Sequence, residues 1–172
     1  HAVSTLPVSA PSIGLTALGL GAATADYCDA MAKDASNTSS ASDDDYPSEA
    51  EVAAALEQVR ASAMRLPEVT ERLSHGAPTF FVKGKKTFVM FLDNHHDDGR
   101  LALWTAAPAG TQATLAETEP DRFFVPPYVG GRGWIGVRLD IDVDWAEIDQ
   151  VIEDAYRCIA SKKLIAELDA LA

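Results

Sequence analysis

His75 gathers more chemically capable neighbours than any other histidine in this chain of 172 residues. Ser74 precedes it, the turn-forming Gly76-Ala77-Pro78 follows it, and Glu71 stands four positions back, so a nucleophile, a base and an acid lie close along the chain. Residues leading into that turn read as a strand. A strand alternates its faces, which points Ser74 and His75 apart, and no G-x-S-x-G elbow raises a serine. A structural or ligand-orienting role is therefore expected for His75, and no catalytic residue is assigned. His95, His96, Asp97 and Asp98 crowd metal-capable atoms into one loop. Adjacent side chains rarely converge on one ion without further ligands from elsewhere, so a solvated hairpin tip is expected and no metal site.

Lys83, Lys85 and Lys86, with Arg100 on the next strand, form the one local positive cluster, interleaved with Phe80, Phe81 and Phe88. A lysine-tipped ribbon could touch a phosphate backbone, and these four are the candidate nucleic-acid contacts. The same lysines serve equally to protect and solvate an exposed sheet edge, which is the preferred reading. Gly130, Gly131 and Gly133 precede a strand, with no Lys-Ser/Thr pair opening a helix behind them, so a phosphate cradle is excluded. They are expected to let the Tyr128 loop turn against Trp134. Phe123, Phe124, Tyr128, Trp134 and Trp104 either fill the core, the preferred reading, or line a pocket. In the pocket reading the candidate ligand-binding residues are His75, Thr79, Tyr128, Trp134 and Arg138. No cofactor is expected.

Composition narrows the function classes. The formal charge is -12, and the isoelectric point near 4.6 works against attraction to a polyanion. Lys33 is the one basic residue before Ser48, where six aspartates lie, so trimming that region leaves the balance acidic. Two cysteines, Cys28 and Cys158, supply neither a disulfide framework nor a zinc site, and a reducing, cytoplasmic compartment fits them. The apolar stretch Ile13 to Ala23 is too short to cross a bilayer and has no preceding Lys or Arg to act as a signal peptide, so no membrane role is expected.

The elements that must position these residues begin at Ser48. Residues 1–47 are rich in Ala, Ser and Thr, carry the sequon Asn37-Thr38-Ser39, and end in Asp43-Asp44-Asp45; they are expected to be a disordered or extended acidic leader. The start at His1 fits a processed leader, with Met31 a conceivable natural start. Residues 48–172 are expected to form the folded domain. Ser48 and Glu51 have capping-box spacing, and Val52, Leu56, Val59, Ala63 and Leu66 recur at helical steps until Pro67. Strands are expected over Val69–His75, Thr79–Val82, Thr87–Leu92 and Leu101–Trp104, the middle two joined as a hairpin through Gly84. A short helix over Gln112–Glu117 should end at Pro120, a long aromatic loop should run from Phe123 to Gly133, and a strand should cover Trp134–Leu139. Asp144 and Glu147 repeat the capping-box spacing ahead of a second long helix through Ile159, which Leu164, Ile165, Leu168 and Leu171 extend or restart. The expected class is α+β, an antiparallel sheet with two long helices on one face and the other face open to a partner.

Four segments, in order, carry a family resemblance: Leu66-Pro67-Glu68-Val69-Thr70-Glu71, Ser74 through Phe80, Pro126-Pro127-Tyr128 through Gly133-Trp134-Ile135, and Asp144-Trp145 leading into Ala155-Tyr156. This arrangement, spanning Ser48 to about Lys163, resembles the MmcQ/YjbR-like family of small bacterial proteins. The resemblance implies a CyaY-like, double-wing fold and a DNA-binding role, and it supplies no catalytic residues. The expected function is thus a non-enzymatic binding domain, with DNA as the implied partner. The alternative is a small-molecule or protein-partner module using the aromatic loop and the open sheet face. An enzyme ranks last.

Overall fold

A computed structural model describes residues 46–171. Expectations for the acidic leader, including Ile13–Ala23, Cys28 and the sequon at Asn37, lie outside the described residues. Helix α1 (Glu49–Met64) opens as its spacing predicts: the Ser48 hydroxyl oxygen accepts from the Glu51 amide, and the Glu51 carboxylate accepts from the Ser48 amide. Strands β1 (Val69–Ser74), β2 (Ala77–Val82), β3 (Lys86–Asp93) and β4 (Leu101–Thr105) follow as an antiparallel meander. Helix α2 (Thr111–Thr118) leads to a two-residue strand β5 (Phe123–Phe124), and β6 (Ile135–Arg138) completes a six-stranded sheet of order β1-β2-β3-β4-β6-β5. The aromatic loop is therefore shorter than expected at its start. Phe123 and Phe124 pair with Val137 and Gly136 at the sheet edge.

Helix α3 (Trp145–Ile159) and helix α4 (Lys162–Asp169) end the chain, α4 restarting behind a Ser161 cap. The Asp144 side chain does cap α3, through the Ala146 amide, but the capping box does not close. Glu147 turns instead to Arg122. α1 packs on α3 and β1, and α3 on β3 and β4, so both long helices cover the same face of the sheet. Between them lie Val59, Ala63, Phe80, Phe88, Ile152 and Tyr156, all fully buried. A register shift between Phe80 and Phe81 places one extra residue in β3, and Phe88 meets the Tyr156 ring edge-on at 5.8 Å. The Tyr156 hydroxyl donates to the Pro67 carbonyl at 2.9 Å, tying α3 to the end of α1, and burial holds that phenol above its ordinary range. Among the described residues no helix is long and apolar enough to cross a membrane.

Candidate functional site

Register assigns the sheet's second face. Thr79 pairs with Met90, Met90 with Trp104, and Trp104 with Gly136, so these four form one row across β2, β3, β4 and β6 on the side away from α1 and α3. That face is not bare. At one end Arg72 of β1 lays its guanidinium 3.7 Å from the Phe81 ring centre, and at the other Arg100 lies 4.6 Å over Phe124, which itself covers Gly136. Between the two stacks a cavity of about 350 Å³ remains, floored by Thr79, Met90 and Trp104.

Two loops wall it. The segment from Val125 to Trp134 comes back over the sheet through a 3-10 turn at Gly130–Arg132, with Tyr128 at φ +63° and Gly133 at φ +80°. Gln112 of α2 fixes the return by donating to the carbonyls of Gly130 and Trp134. The loop between β3 and β4 folds inward because Asn94, His96 and Asp97 all adopt left-handed backbone. His95 thereby sets its ring edge-on to Trp104 at 5.0 Å, His96 stacks on His95 at 4.1 Å, and Tyr128 meets His96 at 6.2 Å. The expectation of a solvated tip holds for His96, Asp97 and Asp98, which are exposed, and fails for His95. His95 is half-buried, and both histidines line the cavity.

His75 reaches the same cavity by a route that strand alternation does not foresee. Ser74 pairs with Ala77, leaving His75 (φ +52°) and Gly76 (φ +82°) as the two central residues of a tight hairpin turn, both left-handed as a type I′ turn requires. Pro78 is thus inside β2, not in the turn. Because His75 has left the strand, its Nδ1 shares a 3.2 Å hydrogen bond with the Ser74 hydroxyl and the two side chains do not point apart. Glu71 does not join them. Its carboxylate accepts from Arg60 Nε at 2.6 Å and Nη2 at 2.7 Å on the helix side of the sheet, and that guanidinium holds it below the usual carboxylate range.

A model of the YjbR family matches residues 64–158, more than half of the chain, and every residue lining the cavity falls inside that span. The chain belongs to the YjbR family. The crystal structure of Deinococcus radiodurans protein DR2400, a DUF419 domain, is similar to this YjbR protein at 16% identity with a TM-score of 0.53, covering 66% of this chain and 87% of that one. That likeness shows the fold. No curated protein matches the chain.

Of the residues anticipated from sequence, the YjbR domain brings His75, Thr79, Tyr128 and Trp134 together around the cavity, with Trp104 beneath them. Arg138 is elsewhere. It lies two residues beyond Gly136 on β6 and forks onto Asp140, Nε to Oδ1 at 3.0 Å and Nη2 to Oδ2 at 2.8 Å, a pairing that raises the guanidinium's pKa. The pocket-or-core alternative for the aromatics resolves residue by residue: Phe123 is in the core, Phe124 covers Gly136, and Trp104, Tyr128 and Trp134 line the cavity. Ser74, Thr87, Met90, Val129 and Arg132 complete the lining without having been anticipated. Alternation with Val89 and Phe91 could have found Met90, but Thr87 shares its face only because of the extra residue in β3, which the sequence pattern does not reveal.

The four expected nucleic-acid contacts do not form one patch. Lys83, Lys85 and Lys86 are exposed at the β2–β3 turn, whereas Arg100 follows the loop at the far end of β3, eight residues long, and is engaged with Phe124 and Asp98. A strand of that length spans roughly 25 Å. Arg100 does adjoin the neighbouring strand β4, but at the end remote from the lysine turn.

Proposed function

We propose that this protein is a non-enzymatic binding module whose ligand is a small molecule held in the cavity on the helix-free face of the sheet. The observation that carries the reading is Trp104 Nε1. It is buried at the cavity floor and, among the described residues, has no hydrogen-bond partner. An indole N–H only donates, and leaving one buried and unpaired costs about 1–3 kcal/mol, a cost that a bound acceptor removes. The cavity's volume is at the lower end of the range for small-molecule sites, and its wall combines flat aromatic surface with a few polar groups, as such sites do.

DNA, the partner implied by family resemblance, finds less support. Three lysines at one turn offer few phosphate contacts, and a chain of net charge -12 adds long-range repulsion. An acyl-transfer reading lacks its third member, because Glu71 is committed to Arg60 on the opposite face from Ser74.

Thermal unfolding in the presence of a panel of naphthalene-sized aromatic compounds tests the proposal. A compound at about 100 times its Kd stabilises by about 2.7 kcal/mol, raising Tm by roughly 5–20 °C. Thr87 faces the cavity and is half-buried, so Thr87→Phe fills the space without disturbing the helix-side core. Shifts in the wild type that vanish in Thr87→Phe are expected. Shifts of equal size in both, or none in either, would contradict the assignment.

A further inference from the structure

Charge around the cavity runs against the charge of the chain. The sequence holds 26 acidic residues against 14 basic, yet no aspartate or glutamate lines the cavity. Arg132 does, together with His75, His95 and His96, three of the four histidines in the sequence. The cationic and titratable groups belong to the rim: Arg132, His75, His96 and Tyr128 are exposed, while Thr79 and Trp104 are buried below them. Other cations near this face are engaged, Arg72 with Phe81 and Arg100 with Phe124 and Asp98. Arg132 makes no ion pair among the described residues.

The hydroxyls of Ser74, Thr87 and Tyr128 and the three imidazoles on the lining can donate or accept, so the groups with one fixed role set the preference. The Thr79 hydroxyl donates to the Ala77 carbonyl at 3.0 Å, and the Trp134 carbonyl is occupied by Gln112. Trp104 Nε1 and the Arg132 guanidinium are left as donors that cannot accept. A ligand rich in donors, or a cation, would meet neither a carboxylate nor an open carbonyl of that set. The remaining wall, made by the rings of Trp104, Trp134, His95 and Tyr128 with Met90, is suited to a flat apolar body.

We infer that the ligand is a small organic anion, an aromatic ring system bearing a carboxylate or a comparable acidic group. Its ring occupies the space between Trp104 and the Tyr128–Trp134 loop. Its anionic group is recognised by Arg132 at the rim, with the indole N–H of Trp104 supplying a neutral donor to an acceptor atom. The inference rests on the small-molecule reading given above and adds the chemical class.

Paired titrations with 2-naphthoate and 2-naphthamide, nearly identical in shape and different in charge, separate the two claims. Both are followed by tryptophan fluorescence and calorimetry in about 50 mM salt, where screening is modest. Naphthoate is expected to bind about tenfold or more tightly than naphthamide, the scale of a charge-assisted contact. Arg132 is exposed, so Arg132→Gln should fold normally, and it is expected to erase that preference while leaving naphthamide affinity within about twofold. Naphthamide binding as tightly as naphthoate in the wild type would overturn the anionic class and leave the cavity reading standing. A preference for naphthoate that survives Arg132→Gln would overturn the role given to Arg132. Failure of both probes, with no Tm response to the wider aromatic panel, would remove the cavity reading and this inference together.

Discussion

Glu71 shows how one residue's partner decides which face of the sheet can do chemistry. Its carboxylate is forked with Arg60, also beside Glu57, and this ties α1 to β1 on the helix side. The pair lowers the pKa of Glu71, so its contribution is present above the unfolded-state carboxylate pKa, near 4.5, and is lost as pH falls through the lower folded value. Both partners are partly solvent-exposed, which limits the pair to about 0.5–1 kcal/mol. Glu71→Gln is expected to lower stability by that amount at pH 7 and to flatten the fall in stability as pH drops below the ordinary carboxylate range, measured by urea unfolding across pH. An unchanged acid limb in the variant would show that the pair contributes nothing. Cys158, by contrast, is exposed outside the site, where partial desolvation and Asp154 push its thiol pKa up, away from the thiolate form that reacts.

The elements account for why the site forms where it does. The cavity lies between two cation–aromatic stacks, and Gly136 is the point where one of those stacks rests. A Cβ at Gly136 would lie inside 3 Å of three Phe124 ring carbons, so the glycine is required by close approach and not by backbone angle. Gly136→Ala is expected to lift Phe124 away from the sheet and from Arg100 and to cost about 1–3 kcal/mol, the range for overpacking. Chemical denaturation measures it; a variant within about 0.5 kcal/mol of wild type would mean that Phe124 moves freely. Helices and strands of this chain were readable because apolar spacing and capping are local: Ser48 with Glu51, and the steps from Val52 to Leu66, needed no tertiary information. The loops were not. His75 was misplaced because a strand rule was applied to a residue that had already entered a left-handed turn. His95 was misplaced because left-handed residues on either side of it, Asn94 before and His96 and Asp97 after, redirect its loop. Glu147 failed as a capping-box acid because Arg122, 25 residues earlier, competes for it.

For the molecule as a whole, the arrangement of two long helices on one face of an antiparallel sheet was legible in the sequence, and so was membership of the YjbR family. Which end of β3 would carry Arg100 depended on a loop length, and the difference matters. With its basic residues split between two ends and its net charge acidic, the chain is expected to show no saturable binding to labelled duplex DNA by fluorescence anisotropy, even at about 50 mM salt, where electrostatic affinity is strongest. Saturable binding that weakens with salt and with substitution of Lys83, Lys85 and Lys86 would return DNA to first place.

The claim on which the account turns is that the space above Trp104 is a ligand site. Nitrogen-15 spectra of the tryptophan indole N–H groups report on it directly, because Trp104 and Trp134 line the cavity and Trp145, at the start of α3, does not. During titration with 2-naphthoate or 2-naphthamide, the account predicts that the Trp104 and Trp134 signals move together, Trp104 in the direction of a newly gained acceptor, while Trp145 stays fixed. Signals from Trp104 that remain still with both probes, or movement confined to Trp145, would contradict it.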